Sequence, residues 1–260
     1  MLGFRKRSFV KSLTAAEVEN REEQFQIIAE TRQKCVEAGI PIISIDTKKK
    51  EFIGNFQRQG TVISSGKPKT LDHDFANFAE CKIVLHGIYD VQRNIGYMTI
   101  GQRHDTSKFV CDNIENAWKS YRIHEYPHAG TIVILCDGGG SNFSYHQIVK
   151  QDFMNLANKT GKNILLMHYP PYCSKQNPIE HKYFSQITRS RSGEPLFSVQ
   201  NAVNRTQNTT TSAGLKVYVN LNKESYDIKR PLDYNLGSRI KKQLIARKVL
   251  PKWNYLITPS

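Results

Sequence analysis

Apolar residues recur along this chain with two different periods, and the two alternate. Residues 14–38 have helical spacing, with Phe25, Ile28, Arg32, Cys35 and Val36 forming a partly apolar stripe. Thr14-Ala15-Ala16-Glu17 has capping-box form at its start, with Thr14 as N-cap, and Gly39 and Pro41 stop it. The β-branched run PIISIDT (41–47) predicts a strand. KKKEFIGNF (48–56) predicts a second one joined to it by a tight hairpin. Residues 57–80 are rich in turn formers and predict a loop. KIVLHGIYDV (82–91) and IGYMTIGQ (95–102) predict further strands. Residues 107–123 return to helical spacing through Phe109, Val110, Ile114, Ala117, Trp118 and Tyr121. TIVILCD (131–137) is a continuous apolar run of the kind buried on both faces of a sheet. GGGSN breaks it, 143–159 predicts a helix, and NILLMHYP (163–170) predicts another buried strand. After the loop PPYCSKQN, the segment PIEHKYFSQI opens a helix with Pro178 at its first position and Glu180 in its first turn. Antiparallel strands in front and βαβ units behind give an α/β fold, a mixed β-sheet flanked by helices. Residues 194–260 have weaker periodicity and more Lys and Asn, as in a separate subdomain or a packing arm.

Composition narrows the function classes. At 260 residues the chain forms one large domain or two small ones. It has no apolar run long enough to span a membrane and no signal-peptide core after its basic start. Lys and Arg outnumber Asp and Glu by 37 to 23, a net charge of +14. Such a surplus favours polyanionic partners, and scattered bases with no basic amphipathic helix favour nucleic acid over a lipid surface. The five cysteines, at 35, 81, 111, 136 and 173, include no C-x-x-C pair. That pattern fits reduced thiols in a cytoplasmic protein, and neither a disulfide framework nor a zinc site.

Three acids stand where chemistry is easily built. Asp46 and Asp137 close buried strands, and Glu180 opens a helix. Strands of a mixed sheet can lie side by side and bring such ends together. Converging carboxylates repel unless cations neutralise them, and oxygen-only ligands suit Mg²⁺ or Mn²⁺. Two such ions activate a water or hydroxyl and stabilise the leaving oxygen of a phosphodiester. The competing local reading makes each Asp a turn or cap residue. GGG after Asp137 lacks the spacing of a nucleotide-binding loop.

PPYCSKQNPIEH resembles the PPYSPxLNPIE segment that carries the last acid of many DDE-type transposases. SIDTKKKEFIGNF, GIYDVQRNIGY, HDT, CDGGGSN, HYPP, IEHKYFS, TTTSAGLKV and the terminal WNY resemble, in the same order, the Rhodopirellula-type insertion-sequence transposases. The resemblance covers about residues 20–255. It implies an RNase H-like, retroviral-integrase-like catalytic core in which Asp46, Asp137 and Glu180 are the catalytic and metal-holding triad. It further implies two Mg²⁺ or Mn²⁺ ions, DNA as partner (transposon ends and target), a homo-oligomer on paired ends, and a bacterial, nucleoid-associated protein. The family carries a helix-turn-helix region ahead of this core, and MLGFRKRSF looks like its tail. The expected division is therefore 1–38 as linker and helix, 39–193 as the DDE catalytic domain, and 194–260 as a family-specific extension. A stand-alone RNase H-like nuclease and a truncated, inactive DNA-binding remnant are the alternatives.

Several neighbours of the triad have two readings each. Lys48, Lys49 and Lys50 suit phosphate contact or a solvated turn. Lys175 in the loop before Glu180 is a candidate phosphate contact. His181 orients DNA or caps a helix, and Asn142 bonds near the metals or caps the next helix. Asp72-His73-Asp74 and His104-Asp105 read as loop or cap features. Trp118 reads as core. Trp253-Asn254-Tyr255 stacks on a base or docks the tail onto the domain.

Overall fold

The computed structural model describes residues 18–73, 75–102, 104–138 and 146–260. In chain order the elements are α1 (Arg21–Glu37), β1 (Ile42–Ile53), β2 (Cys81–Asp90), β3 (Ile95–Gly101), α2 (Ser107–Ala117), α3 (Ile123–Glu125), β4 (Thr131–Cys136), α4 (Gln147–Thr160), β5 (Asn163–His168), α5 (Ser185–Ser190), α6 (Val199–Gln207), β6 (Lys216–Asn222), α7 (Leu236–Gln243), β7 (Leu244–Ala246) and β8 (Asn254–Ile257). A π-helical turn at Trp118–Arg122 joins α2 to α3, and a second at Glu180–Phe184 leads into α5.

The strands form one mixed sheet in the order β6-β3-β2-β1-β4-β5-β8-β7. β1, β2 and β3 pair antiparallel, whereas β1, β4 and β5 run parallel. Residues beyond 194 supply strands at both edges, with β6 parallel to β3 and β8 antiparallel to β5. Helices cover both faces. α2, α4 and α7 enclose a core with Ile43, Ile45, Ile134, Phe153 and Leu236. On the other face, Tyr183, Phe184 and Ile187 pack over Leu85 and Met98, and Ile28 of α1 packs over Val133 and Leu165.

Local predictions and structure differ at two places. The expected hairpin inside 41–56 is absent, because β1 is one strand paired with β2 from Ile43↔Asp90 to Ile53↔Cys81. Its register slips between Lys48 and Glu51. A bulge lets the lysine run stay in the ladder where a reversal was expected. Asp46 consequently stands inside β1 and not at its end. The first helix begins at Arg21 after Asn20. The expected cap at Thr14 lies outside the described residues. The expected helix at 107–123 keeps its helical course, capped by Thr106, whose hydroxyl accepts the Phe109 amide at 3.2 Å. Trp118 is buried, as its position on the apolar stripe required. All five cysteines are free thiols, and four of them are buried.

Candidate active site

Parallel pairing of β1 with β4 runs from Ile42↔Val133 to Ser44↔Leu135 and stops. Two residues further on, Asp46 and Asp137 stand at matching positions of the two strands. Pairing of β1 with β2 continues past this point, with Asp46 opposite Gly87. The sheet therefore opens between β1 and β4 where the two acids stand. Side chains alternate along a strand. Ile43 and Ile45 point into the core under α2 and α4, so Asp46 points to the opposite face with Ser44.

Glu180 reaches the same face through a short polar staple. The Ser44 hydroxyl donates to Asn177 Oδ1 and accepts the Ile179 amide at 3.1 Å. Asn177 Nδ2 donates to the Ile45 carbonyl at 3.1 Å. The helical turn opens at Pro178, and the Glu180 amide bonds the Asn177 carbonyl at 3.0 Å. Proline costs nothing there, because a first-turn amide has no partner within the helix. Ser44 and Asn177 are wholly buried and every bond of the staple is made inside the protein. Gly87 completes the seat. A Cβ there would lie 2.4 Å from Phe184 Cε1 and 2.9 Å from Ile179 Cδ1, so only glycine lets this helix lie so close beside Asp46.

The result is a trio of interacting carboxyl groups. Asp46 accepts the Thr47 amide at 2.7 Å and is hydrogen-bonded to Glu180. Burial, the negative charge of Asp137 and the bond to Glu180 together push Asp46 up to about 8. Without cations, Asp46 therefore keeps a proton at neutral pH. No group of three His, Cys, Asp or Glu among the described residues is already closed into a metal-binding shell. The donor set nevertheless fits a hard divalent cation, being all carboxylate oxygen with a charge that a cation would relieve.

The other expected contacts are dispersed. Lys48 is half-buried and tied to Glu51 at 2.6 Å. Lys49 and Lys50 are exposed farther along β1. Lys175, in a single 3₁₀ turn, and His181, in the first turn after Glu180, are also exposed. Asn142 lies outside the described residues, as does Asp74. His73 pairs with Asp72 at 3.2 Å in an exposed loop. Asp105 reaches Thr47, whose hydroxyl donates to Asp105 Oδ1 at 3.2 Å.

Sequence reasoning did not single out His168, although it offered docking of Trp253-Asn254-Tyr255 onto the domain. His168 is fully buried at the end of β5. Its Nδ1 lies 3.3 Å from the Asp137 carbonyl and 3.3 Å from Cys136 Sγ, and its Nε2 lies 3.1 Å from the Tyr255 hydroxyl. Burial pulls its pKa down to about 4, against the Asp137 carbonyl, so the ring is neutral at pH 7. A neutral ring satisfies both neighbours as donor at Nδ1 and acceptor at Nε2. Behind it, Gln24 of α1 donates to the His168 carbonyl at 2.9 Å and exchanges two bonds with Asn254 of β8. Asn254 and Tyr255 thus dock the tail against the strand that carries His168. A histidine inside an apolar run was the available signal, since a buried polar group demands partners.

The family described as "Rhodopirellula transposase DDE domain" matches residues 1–259. The chain belongs to that family. A DDE transposase domain is a polynucleotidyl-transferase domain, and the family uses divalent metal. Comparison with curated proteins gave no match. Solved Mos1 transposase structures share the RNase H-like fold. The Mos1 strand transfer complex is 14% identical, with a TM-score of 0.53 over 77% of this chain and 56% of that one. The mariner Mos1 paired end complexes with Mg and with Mn are each 16% identical, with TM-scores of 0.54 and 0.53. They cover 77% and 76% of this chain and 57% of theirs. This DDE-family chain thus spans a little over half the length of the Mos1 chains. No helix among its described residues is long and apolar enough to cross a membrane.

Proposed function

We propose that this chain catalyses metal-dependent cleavage at transposon ends and transfer of the freed 3′-hydroxyl into target DNA. The observation that carries this reading is the meeting of Asp46, Asp137 and Glu180, from two strands and a helix, on one face at an opening in the sheet. The three carboxylates would hold two Mg²⁺ or Mn²⁺ ions. Bound there, such ions activate the attacking water or hydroxyl and stabilise the leaving oxygen. The chain's own residues do the rest. Ser44 and Asn177 fix Glu180 against β1, and His168 fixes the Asp137 backbone. Lys49, Lys50, Lys175 and His181 offer exposed phosphate contacts along the DNA, and Asn142, outside the described residues, is a further DNA contact named from the sequence alone. Lys48 joins them once DNA competes with Glu51 for its ammonium group. Two copies on paired ends, acting at the bacterial nucleoid, are the setting of this reaction.

The test is strand transfer with Mn²⁺, using the purified chain, a pre-cleaved DNA end with a free 3′-hydroxyl and a supercoiled plasmid. Joined product is expected with the parent and none with Asp137→Asn or Asp46→Asn, while both variants still bind DNA. Equal joining by parent and variants would overturn the triad. Metal-dependent nicking without joining would move the reading to a nuclease.

A further inference from the structure

A groove of about 650 Å³ lies beyond the end of β5, between the Pro170–Cys173 turn and the β7–β8 loop. Its walls are joined by the backbone to the ends of β4 and β5, next to Asp137. The Tyr169 amide bonds the Cys136 carbonyl at 2.8 Å, next to Asp137, and the Trp253 carbonyl accepts the His168 amide at 2.9 Å. The lining includes Pro171, Tyr172, Pro251, Lys252 and Trp253, so flat aromatic and proline surfaces flank one cation.

Backbone strain is concentrated at this groove. Four non-glycine residues among those described have left-handed φ, and three of them, Asn20, Tyr172 and Leu250, line it. Tyr172 sits at the centre of a tight turn. The Cys173 amide closes a turn on the Pro170 carbonyl at 3.2 Å, with Pro171 and Tyr172 at its centre. Tyr172 has φ 63°, the third-residue conformation of a type II turn, where glycine normally sits. The residue is nevertheless 69% exposed and so recovers little by packing. A large aromatic held exposed at a strained position points to a binding role more than a folding one.

The geometry points to this groove as a binding site for one unpaired base of the DNA strand at the catalytic centre, stacked between Tyr172 and Trp253. Stacking on aromatic faces is the sequence-tolerant way to hold an unpaired base, and Lys252 suits the phosphate beside it. Glu19, which also lines the groove and is exposed, disfavours a phosphate on its side and favours the uncharged base there. This inference rests on the transposase reading but needs no chemistry to be tested.

The experiment is a metal-free anisotropy titration of the full chain against two labelled duplexes of one sequence, one flush-ended and one with a two-nucleotide overhang. The parent is expected to bind the overhang at least about fivefold more tightly, as loss of base stacking implies. Tyr172→Ala should abolish that preference while changing flush-end affinity less than twofold. Tyr172→Gly should abolish it too, with Tm unchanged or raised because the turn is relieved. Equal affinity of the parent for both duplexes, or a preference that survives in Tyr172→Ala, would overturn the groove assignment alone. Failure of the parent to bind either duplex would overturn the transposase reading beneath it.

Discussion

Asp46 carries the largest electrostatic burden at the triad. Its carboxyl is half-buried beside two others, and in the absence of cations a proton compensates. Divalent cations should therefore stabilise the fold as well as serve chemistry. At about 100 times Kd the gain is about 2.7 kcal/mol. A rise in Tm with Mn²⁺ in the parent, absent in Asp137→Asn, is the expected result of a thermal scan. Glu51, farther along β1, shows the opposite balance. Burial pushes its carboxyl up, but the charges of Arg191, Lys48 and Arg58 outweigh this and hold it at about 2. A value depressed below the ordinary 4.5 gives stability that is present above that pH and lost as pH falls toward 2. The loss amounts to roughly 3 kcal/mol. Urea denaturation across pH 5 to 2 should show it, and Glu51→Gln should be weaker at pH 7 and flatter over that range.

Among the elements, the helical turn that carries Glu180 is placed by β1 and β2 more than by its own sequence. Asn177→Ala deletes both side-chain bonds to β1 and leaves the Ile45 carbonyl buried without that donor. A loss of about 1–3 kcal/mol is expected. Joining activity should fall further than stability alone explains, because Glu180 drifts from Asp46. Gly87→Ala should act alike through overpacking against Phe184 and Ile179, at about 1–3 kcal/mol. Activity measured well below each variant's Tm separates the two effects. Strand β8 supports the other acid. Tyr255→Phe removes the donor to His168 and should reduce joining without unfolding the sheet, since the ring is kept. The β1 bulge teaches a different point about elements. A run of three lysines suggested a turn, yet pairing with β2 on both sides kept the strand whole.

Across the whole molecule, the +14 charge sets how DNA is approached. Contacts to six to ten phosphates would weaken binding by about 10³–10⁵ between 50 and 200 mM salt. A salt-independent affinity would contradict that reading. The sequence by itself determined much at this scale. Continuous apolar runs and period-3.6 patterning marked the central strands β2 to β5 and the helices that cover them, because burial of a whole strand or of a helix stripe is a local demand. The motifs around Asp46, Asp137 and Glu180 named the three acids and the family. What only the tertiary structure decided lies between distant segments. The β1–β4 register put Asp46 level with Asp137, and Ser44 with Asn177 locked Glu180 beside Asp46. His168 gained its role from Tyr255, a residue 87 positions away. Residues 194–260 looked weakly patterned because edge strands bury only part of their surface, and their place at both edges follows from pairing partners that no local pattern encodes.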